Sequence, residues 1–134
     1  MRLARANTAV PVPEVLGVVH EADKTYLYIE YIDGKTLDEA WGTLSSTDIA
    51  RIKSSFATYF EGVLADGHVC LVHADLHAEN MLVKNSRIVA ILDWVMASWL
   101  PRAVQSYVMV NYLQADRLGP GSVFNALGDV QPRP

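Results

Sequence analysis

A single cysteine, Cys70, excludes any disulfide within the chain, and one lone thiol fits a reducing compartment better than a disulfide-stapled secreted domain. Long apolar runs are missing as well. No stretch approaches the roughly 20 apolar residues of a membrane helix, and Met1-Arg2-Leu3-Ala4-Arg5-Ala6-Asn7 lacks the continuous apolar core of a signal peptide. Positive charge is scarce: 11 Lys and Arg against 15 Asp and Glu leave a net charge of −4. Without a basic stripe there is no electrostatic footprint for nucleic acid. Internal repeats and low-complexity tracts are absent too. These absences predict a cytoplasmic protein with neither nucleic acid nor membrane as a partner, and they leave the oligomeric state unknown. What is present is a chain of 134 residues, 51% hydrophobic, enough for one folded domain with its own core.

The polar residues that matter fall between His73 and Asp93. His73-Ala74-Asp75-Leu76-His77-Ala78-Glu79-Asn80 is followed by Met81-Leu82-Val83, then Lys84-Asn85-Ser86-Arg87, then Ile88-Val89-Ala90-Ile91-Leu92 and Asp93-Trp94. Two apolar runs around a short polar turn predict a β-hairpin. A hairpin returns the chain to its start, so Asn80 and Asp93 are expected side by side at its mouth. Oxygen donors brought together in this way suit Mg²⁺, which takes oxygen ligands and completes its shell with phosphate and water. A carboxylate on the adjoining loop, Asp75, is then placed to accept a proton from a hydroxyl.

This layout is the phosphotransfer pattern H-x-D-L-x-x-x-N followed by a metal-binding Asp. It resembles the catalytic loop of the kinase-like superfamily. Trp94 after Asp93, and Ala74 where protein kinases usually carry Arg, make it look like the aminoglycoside phosphotransferase/choline kinase branch. The resemblance implies Asp75 as the catalytic base, Asn80 and Asp93 as metal ligands, and His73 as structural support of the loop. Mg²⁺ and ATP would be the cofactors, and a small-molecule hydroxyl acceptor the partner.

The rest of the chain reads around that loop. Met1 to Ala6 suggests the end of a helix, and Pro11 and Pro13 force an extended segment. Glu14–Glu21 and Thr25–Ile32 form a second expected hairpin, turning at Ala22-Asp23-Lys24. Tyr26 to Glu30 is apolar on both faces, which predicts a strand covered on part of each side. Ile29-Glu30-Tyr31-Ile32-Asp33-Gly34 resembles the interlobe hinge of the same branch, with Ile29 guarding the adenine pocket. The resemblance makes the Glu30 carbonyl and the Ile32 amide the adenine contacts. Thr36-Leu37-Asp38-Glu39 is a capping box opening a short helix to Trp41. Ser45 to Asp48 offers another cap, for a helix whose apolar face is Ile49, Ile52, Phe56, Tyr59, Phe60 and Val63, ending near Asp66-Gly67. Val69–Val72 is expected as a short buried strand, with Cys70 as an inert core thiol. Ala97–Pro101 resembles the family's turn after the metal-binding Asp, though Val95 and Met96 stand where an acidic residue is usual. Ala103 to Arg117 predicts a further helix, and 122–134 a tail.

The implied fold class is α+β: a partial protein-kinase-like fold, with a remnant N-lobe hairpin and hinge (1–34), a reduced helical C-lobe core (35–121) and the tail, all one domain over 1–134. The resemblance covers Pro11 to Pro101. The Gly-rich loop, strand lysine and helix glutamate of a kinase-like nucleotide site would precede the first hairpin and are missing. Lys24, Lys35, Lys53 and Lys84 are the lysines present, and none is expected in a strand that could serve. The chain thus reads as truncated, and weak or absent catalysis is expected. Two alternatives stand beside an active phosphotransferase. One is a non-catalytic pseudokinase or binding module on the same fold. The other is a metal-dependent hydrolase using His73, Asp75 and His77 as alternating zinc ligands. His20 and His68 read as ordinary surface or turn residues.

Overall fold

A computed structural model describes residues 1–61 and 69–101 of the chain. The expected helix over Ala103–Arg117, the tail and the end of the long helix near Asp66-Gly67 lie outside these residues, as does His68. The elements run α1 (Arg2–Asn7), β1 (Val15–Glu21), β2 (Lys24–Ile29), β3 (Lys35–Thr36), α2 (Leu37–Trp41), α3 (Ser46–Glu61), β4 (Val69–Val72), a 3₁₀ turn (Ala78–Asn80), β5 (Met81–Lys84), β6 (Arg87–Ile91) and β7 (Ser98–Pro101). The strands form three small antiparallel sheets: β1-β2, β3-β5-β6 and β4-β7.

Local chemistry explains most boundaries. At α2 the Thr36 hydroxyl accepts from the Glu39 amide at 3.1 Å, while the Thr36 amide donates to the Glu39 carboxylate at 3.0 Å. Both groups left orphaned by the helix start are thereby satisfied. Ser45 and Asp48 repeat the device before α3: the Ser45 amide donates to Asp48 at 3.0 Å and the Asp48 amide to the Ser45 hydroxyl at 3.2 Å. The second Asp48 oxygen takes a short hydrogen bond from the Ser86 hydroxyl in the turn between β5 and β6. That turn has two residues, Asn85 and Ser86, both at positive φ (50° and 59°), the backbone a tight hairpin demands.

The apolar stripe of α3 lies across β6. Ile52 and Phe56 are fully buried with Leu37 and Ala40 of α2, Leu76 of the loop, and Met81, Val83, Ile88 and Ile91 of the hairpin; Trp94 closes the cluster. The segment 8–14 crosses this core without regular structure. Val10, Val12 and Pro13 are buried, and the Pro11 carbonyl accepts from the Ile91 amide at 2.8 Å. Arg5 secures the same segment by donating to the Val12 carbonyl at 2.6 Å.

The structure departs from the sequence reading in four places. Strand β2 is exposed along its whole length rather than covered on both faces. Tyr26, Leu27, Tyr28 and Ile29 stay accessible because β1-β2 is a two-stranded sheet pairing with no other strand of the described residues. Strand β4 is an edge, with Val69 exposed, Cys70 only half-buried and Val72 alone fully buried. Residues 98–101, expected as a turn, form β7 and pair with β4, Val72 opposite Ser98 and Val69 opposite Pro101. Finally, Lys24, Lys35 and Lys84 do lie in strands. Among the described residues no helix is long and apolar enough to cross a membrane.

Candidate functional site

The site grows from the mouth of the β5-β6 hairpin. Met81 pairs with Ile91 and Leu82 with Ala90. One step beyond the ladder, the Leu92 amide donates to the Asn80 carbonyl at 2.8 Å. Asn80, which ends the 3₁₀ turn, and Asp93, which follows Leu92, are therefore brought to the same end of the hairpin.

His73 joins the loop to that end. Its ring is 1% exposed, Nε2 sits 2.7 Å from the Leu92 carbonyl, and Nδ1 accepts from the Asp75 amide at 3.3 Å. A carbonyl can only accept, so Nε2 carries the ring proton and Nδ1 the lone pair. The ring meets Trp94 edge-on, with centroids 4.7 Å apart at 65°. Burial, as the largest influence, lowers its pKa from the usual 6.5; the bond to Leu92 and the nearby Asp75 and Asp93 oppose that shift. Both ring nitrogens are thus engaged by backbone, and His73 has no lone pair left for a metal. With that, the alternating zinc set loses its first ligand. Among the described residues no cluster of three or more His, Cys, Asp or Glu is arranged to hold a metal.

Asp75 follows Ala74, whose φ of 64° is a left-handed conformation uncommon for a residue with a Cβ. The Asp75 carboxylate is 24% exposed, with one oxygen 3.9 Å from His77 Nε2. Asn80 is buried at 8%, and its Nδ2 lies 3.0 Å from both the Asp75 carbonyl and His77 Nε2. The two amide hydrogens are used in this way. The amide oxygen has no hydrogen-bond donor among the described residues, so it is the part of Asn80 left to meet a cation. Asp93 is exposed at a φ of 52°, while Trp94 beside it turns inward and donates from Nε1 to the Ile91 carbonyl at 2.8 Å. An amide oxygen and a carboxylate at one hairpin mouth are hard oxygen donors of the kind Mg²⁺ takes, too few for an all-protein cage and sufficient beside phosphate and water.

Next to Asp93 opens a cavity of about 530 Å³, within the size range of small-molecule sites. Val15 and Val18 of β1 and Leu27 and Ile29 of β2 form its apolar wall. Asp93, Trp94 and Val95 line the other side, and Met1 and Arg2 complete it. Neither Asp75 nor Asn80 is among its lining residues, and none of the lysines is. Of the two hinge residues singled out from the sequence, Glu30 follows β2 and its amide donates to the Glu14 carbonyl at 2.8 Å. Its carboxylate lies 3.6 Å from Arg5. Ile32 is half-buried before Asp33-Gly34. Asp33 is ion-paired with Lys84 at 2.6 Å, which ties this segment to β5.

Arg2 escaped the sequence reading, and His77 entered it only as a zinc ligand of the hydrolase alternative. Arg2 lines the cavity; nothing in its local sequence marks it. His77 touches Asn80, and its spacing, two after Asp75 and three before Asn80, was the available signal.

Residues 40–121 match the family model described as the phosphotransferase enzyme family. No curated protein matches the sequence. By structure the chain is similar to a thermostable mutant of the aminoglycoside phosphotransferase APH(4)-Ia in its apo form, with 17% identity and a TM-score of 0.62 over 85% of this chain and 61% of that one. A further mutant of that enzyme, in ternary complex with ADP and hygromycin B, gives 18% and 0.57 over 85% and 60%. ADP-bound aminoglycoside phosphotransferase APH(2'')-Ib gives 16% and 0.58 over 82% and 57%. The fold is kinase-like, and the chain spans about 60% of the length of these solved structures.

Proposed function

The chain belongs to the phosphotransferase enzyme family, and from that premise we propose that its site serves transfer of the γ-phosphoryl group of ATP to a hydroxyl of a small molecule. The observation that carries this reading is the 2.8 Å bond between the Leu92 amide and the Asn80 carbonyl, which draws the loop and Asp93 to one place. In the proposed division of labour Asp75 accepts the proton of the attacking hydroxyl. Asn80, through its amide oxygen, and Asp93, through its carboxylate, hold Mg²⁺. His73 keeps the loop and the hairpin mouth in register. The apolar wall of Val15, Val18, Leu27 and Ile29 takes the adenine ring, and the Glu30 carbonyl and Ile32 amide read its edge. Bound Mg²⁺·ATP supplies the phosphoryl group and the charge that neutralises it. The ADP complexes among the similar structures support a nucleotide here, and the hygromycin B complex supports a small hydroxyl-bearing acceptor.

Phosphoryl transfer depends on positioning and electrostatics. Among the described residues the cavity is lined by one basic side chain, Arg2, and by no lysine, so binding is expected to be weak and Mg²⁺-dependent, and turnover slow or absent. That same feature favours the second reading, a non-catalytic binding module on the kinase-like fold. Calorimetry with ATP, with and without Mg²⁺, paired with turnover across a panel of hydroxyl acceptors, separates the two. Asp75→Asn should leave nucleotide binding intact and remove any turnover, whereas Asp93→Ala should weaken binding only when Mg²⁺ is present. Tight binding that ignores Mg²⁺, or that ignores Asp93, would refute the assignment of the metal site.

A further inference from the structure

We propose that His77 is a positioning residue, whose Nε2 accepts a hydrogen bond from Asn80 Nδ2 and thereby fixes the Asn80 amide with its oxygen free for the cation. The role toward a cation rests on the function proposed above; the hydrogen bond itself does not. The Asp75 carbonyl lies 3.0 Å from Asn80 Nδ2. A carbonyl oxygen only accepts, so the end of the amide facing it is the NH₂ group and not the oxygen. An amide nitrogen has two hydrogens, and the second acceptor within reach is His77 Nε2, also at 3.0 Å. A ring nitrogen facing an NH₂ group must present a lone pair. The ring proton therefore sits on Nδ1, which faces the Glu79 carboxylate at 3.7 Å.

This tautomer has a consequence for Asp75 as well. One carboxylate oxygen of Asp75 lies 3.9 Å from the same Nε2, and what it meets there is a lone pair rather than a proton. His77 can thus hold Asn80 without donating a proton to that oxygen. Without His77 the second amide hydrogen of the buried Asn80 loses its acceptor. The Asp75 carbonyl alone then holds an amide that is free to rock, and a turned amide would present NH₂ to the cation. Partners that orient a metal-binding group in this indirect way typically change metal affinity by about 10- to 100-fold when removed.

The test has two arms. In ¹⁵N-labelled protein a through-hydrogen-bond coupling between Asn80 Nδ2 and His77 Nε2 is expected, and its absence overturns the inference whatever the protein binds. In the second arm, Mn²⁺ affinity is measured by electron paramagnetic resonance with a non-hydrolysable ATP analogue, alongside thermal melts. His77→Ala should weaken Mn²⁺ binding roughly tenfold or more. His77→Gln, whose side-chain carbonyl reaches the place of Nε2, should restore most of it. An alanine variant that binds like the wild type, or a glutamine variant as weak as alanine, overturns the positioning role. A wild type that binds no Mn²⁺ with the analogue would instead refute the proposed function, and the coupling would still decide the hydrogen bond.

Discussion

Replacing His73 with phenylalanine isolates what its two ring nitrogens contribute. Phenylalanine keeps a ring of similar size against Trp94, so the 4.7 Å edge contact and most of the packing survive. What disappears is the proton donated to the Leu92 carbonyl at 2.7 Å and the lone pair accepting from the Asp75 amide at 3.3 Å. Each buried polar group left without a partner costs about 1–3 kcal/mol. Leu92 and Asp75 are only half-buried, so water recovers part of that, and the longer bond to Asp75 is the weaker of the two. The expected loss is about 2–4 kcal/mol, a large share of the roughly 5–15 kcal/mol that holds a domain together. Urea denaturation followed by tryptophan fluorescence reads it, and the midpoint should fall by about 1–2 M at an unchanged slope.

The pH dependence gives an independent check. His73 is buried and its folded pKa lies below the usual 6.5, so below that value the unfolded chain binds a proton that the folded chain resists. The stability tied to His73 is complete above pH 6.5 and is lost as the pH falls toward the depressed folded value. Subtracting the His73→Phe curve from the wild-type curve should therefore leave a component that declines on acidification. A variant within about 0.5 kcal/mol of wild type, a size typical of ordinary surface changes, or a difference curve that is flat with pH, would refute the reasoning.

Three further changes test other parts of the frame. Ala74→Gly should raise stability by up to about 1 kcal/mol, because the left-handed backbone at φ 64° penalises a Cβ more than glycine's extra freedom costs the folded chain; thermal melts decide it, and a lower melting temperature would refute it. Gly34→Ala should destabilise by about 1–3 kcal/mol, as overpacked sites do, since the new Cβ would sit 3.1 Å from the Val83 carbonyl and 3.3 Å from Val89; an unchanged urea midpoint would show that β5 yields. Asp48, whose pKa is held down to about 2 chiefly by the Ser45 hydroxyl and next by Ser86, contributes stability that is present above pH 3.8 and lost as the pH falls through about 2; in Asp48→Asn that acid-sensitive component should vanish from a circular-dichroism titration.

What the sequence made legible was local. The β5-β6 hairpin could be read because two apolar runs bracket Lys84-Asn85-Ser86-Arg87, and Asn85 is a residue that tolerates the left-handed turn. The Thr36–Glu39 capping box needed only its own four residues. What stayed hidden depends on partners distant in the chain. Strand β7 pairs with β4 across some thirty residues, Cys70 opposite Leu100, and no periodicity within four residues reveals a distant edge. The apolar faces of β2 were visible, but whether they are covered is decided by what packs there. His77 was in plain view with the right spacing. Its role depends on the loop geometry that turns Nε2 toward Asn80, and spacing alone does not contain that.

The two left-handed residues of the site show why loop and hairpin act together. Ala74 and Asp93, at φ 64° and 52°, each stand between buried neighbours: His73 and Leu76 around the first, Ile91 and Trp94 around the second. Backbone strain of this kind persists only where the surroundings over-determine it. At Asp93 the surroundings are the Ile91 carbonyl, bonded to Trp94 Nε1 at 2.8 Å, which pulls the indole inward immediately after the turn. With Ile91 and Trp94 both committed to the core, the residue between that turns outward is Asp93, which lines the cavity. At Ala74 the anchor is His73, which grips Leu92 on one side and the Asp75 amide on the other. Leu92, the residue His73 grips, is also the residue bonded to Asn80. One backbone position therefore sets the height of Asp75, Asn80 and Asp93 at once. A change that loosened Leu92 would move all three, which a site assembled from independent loops would not do.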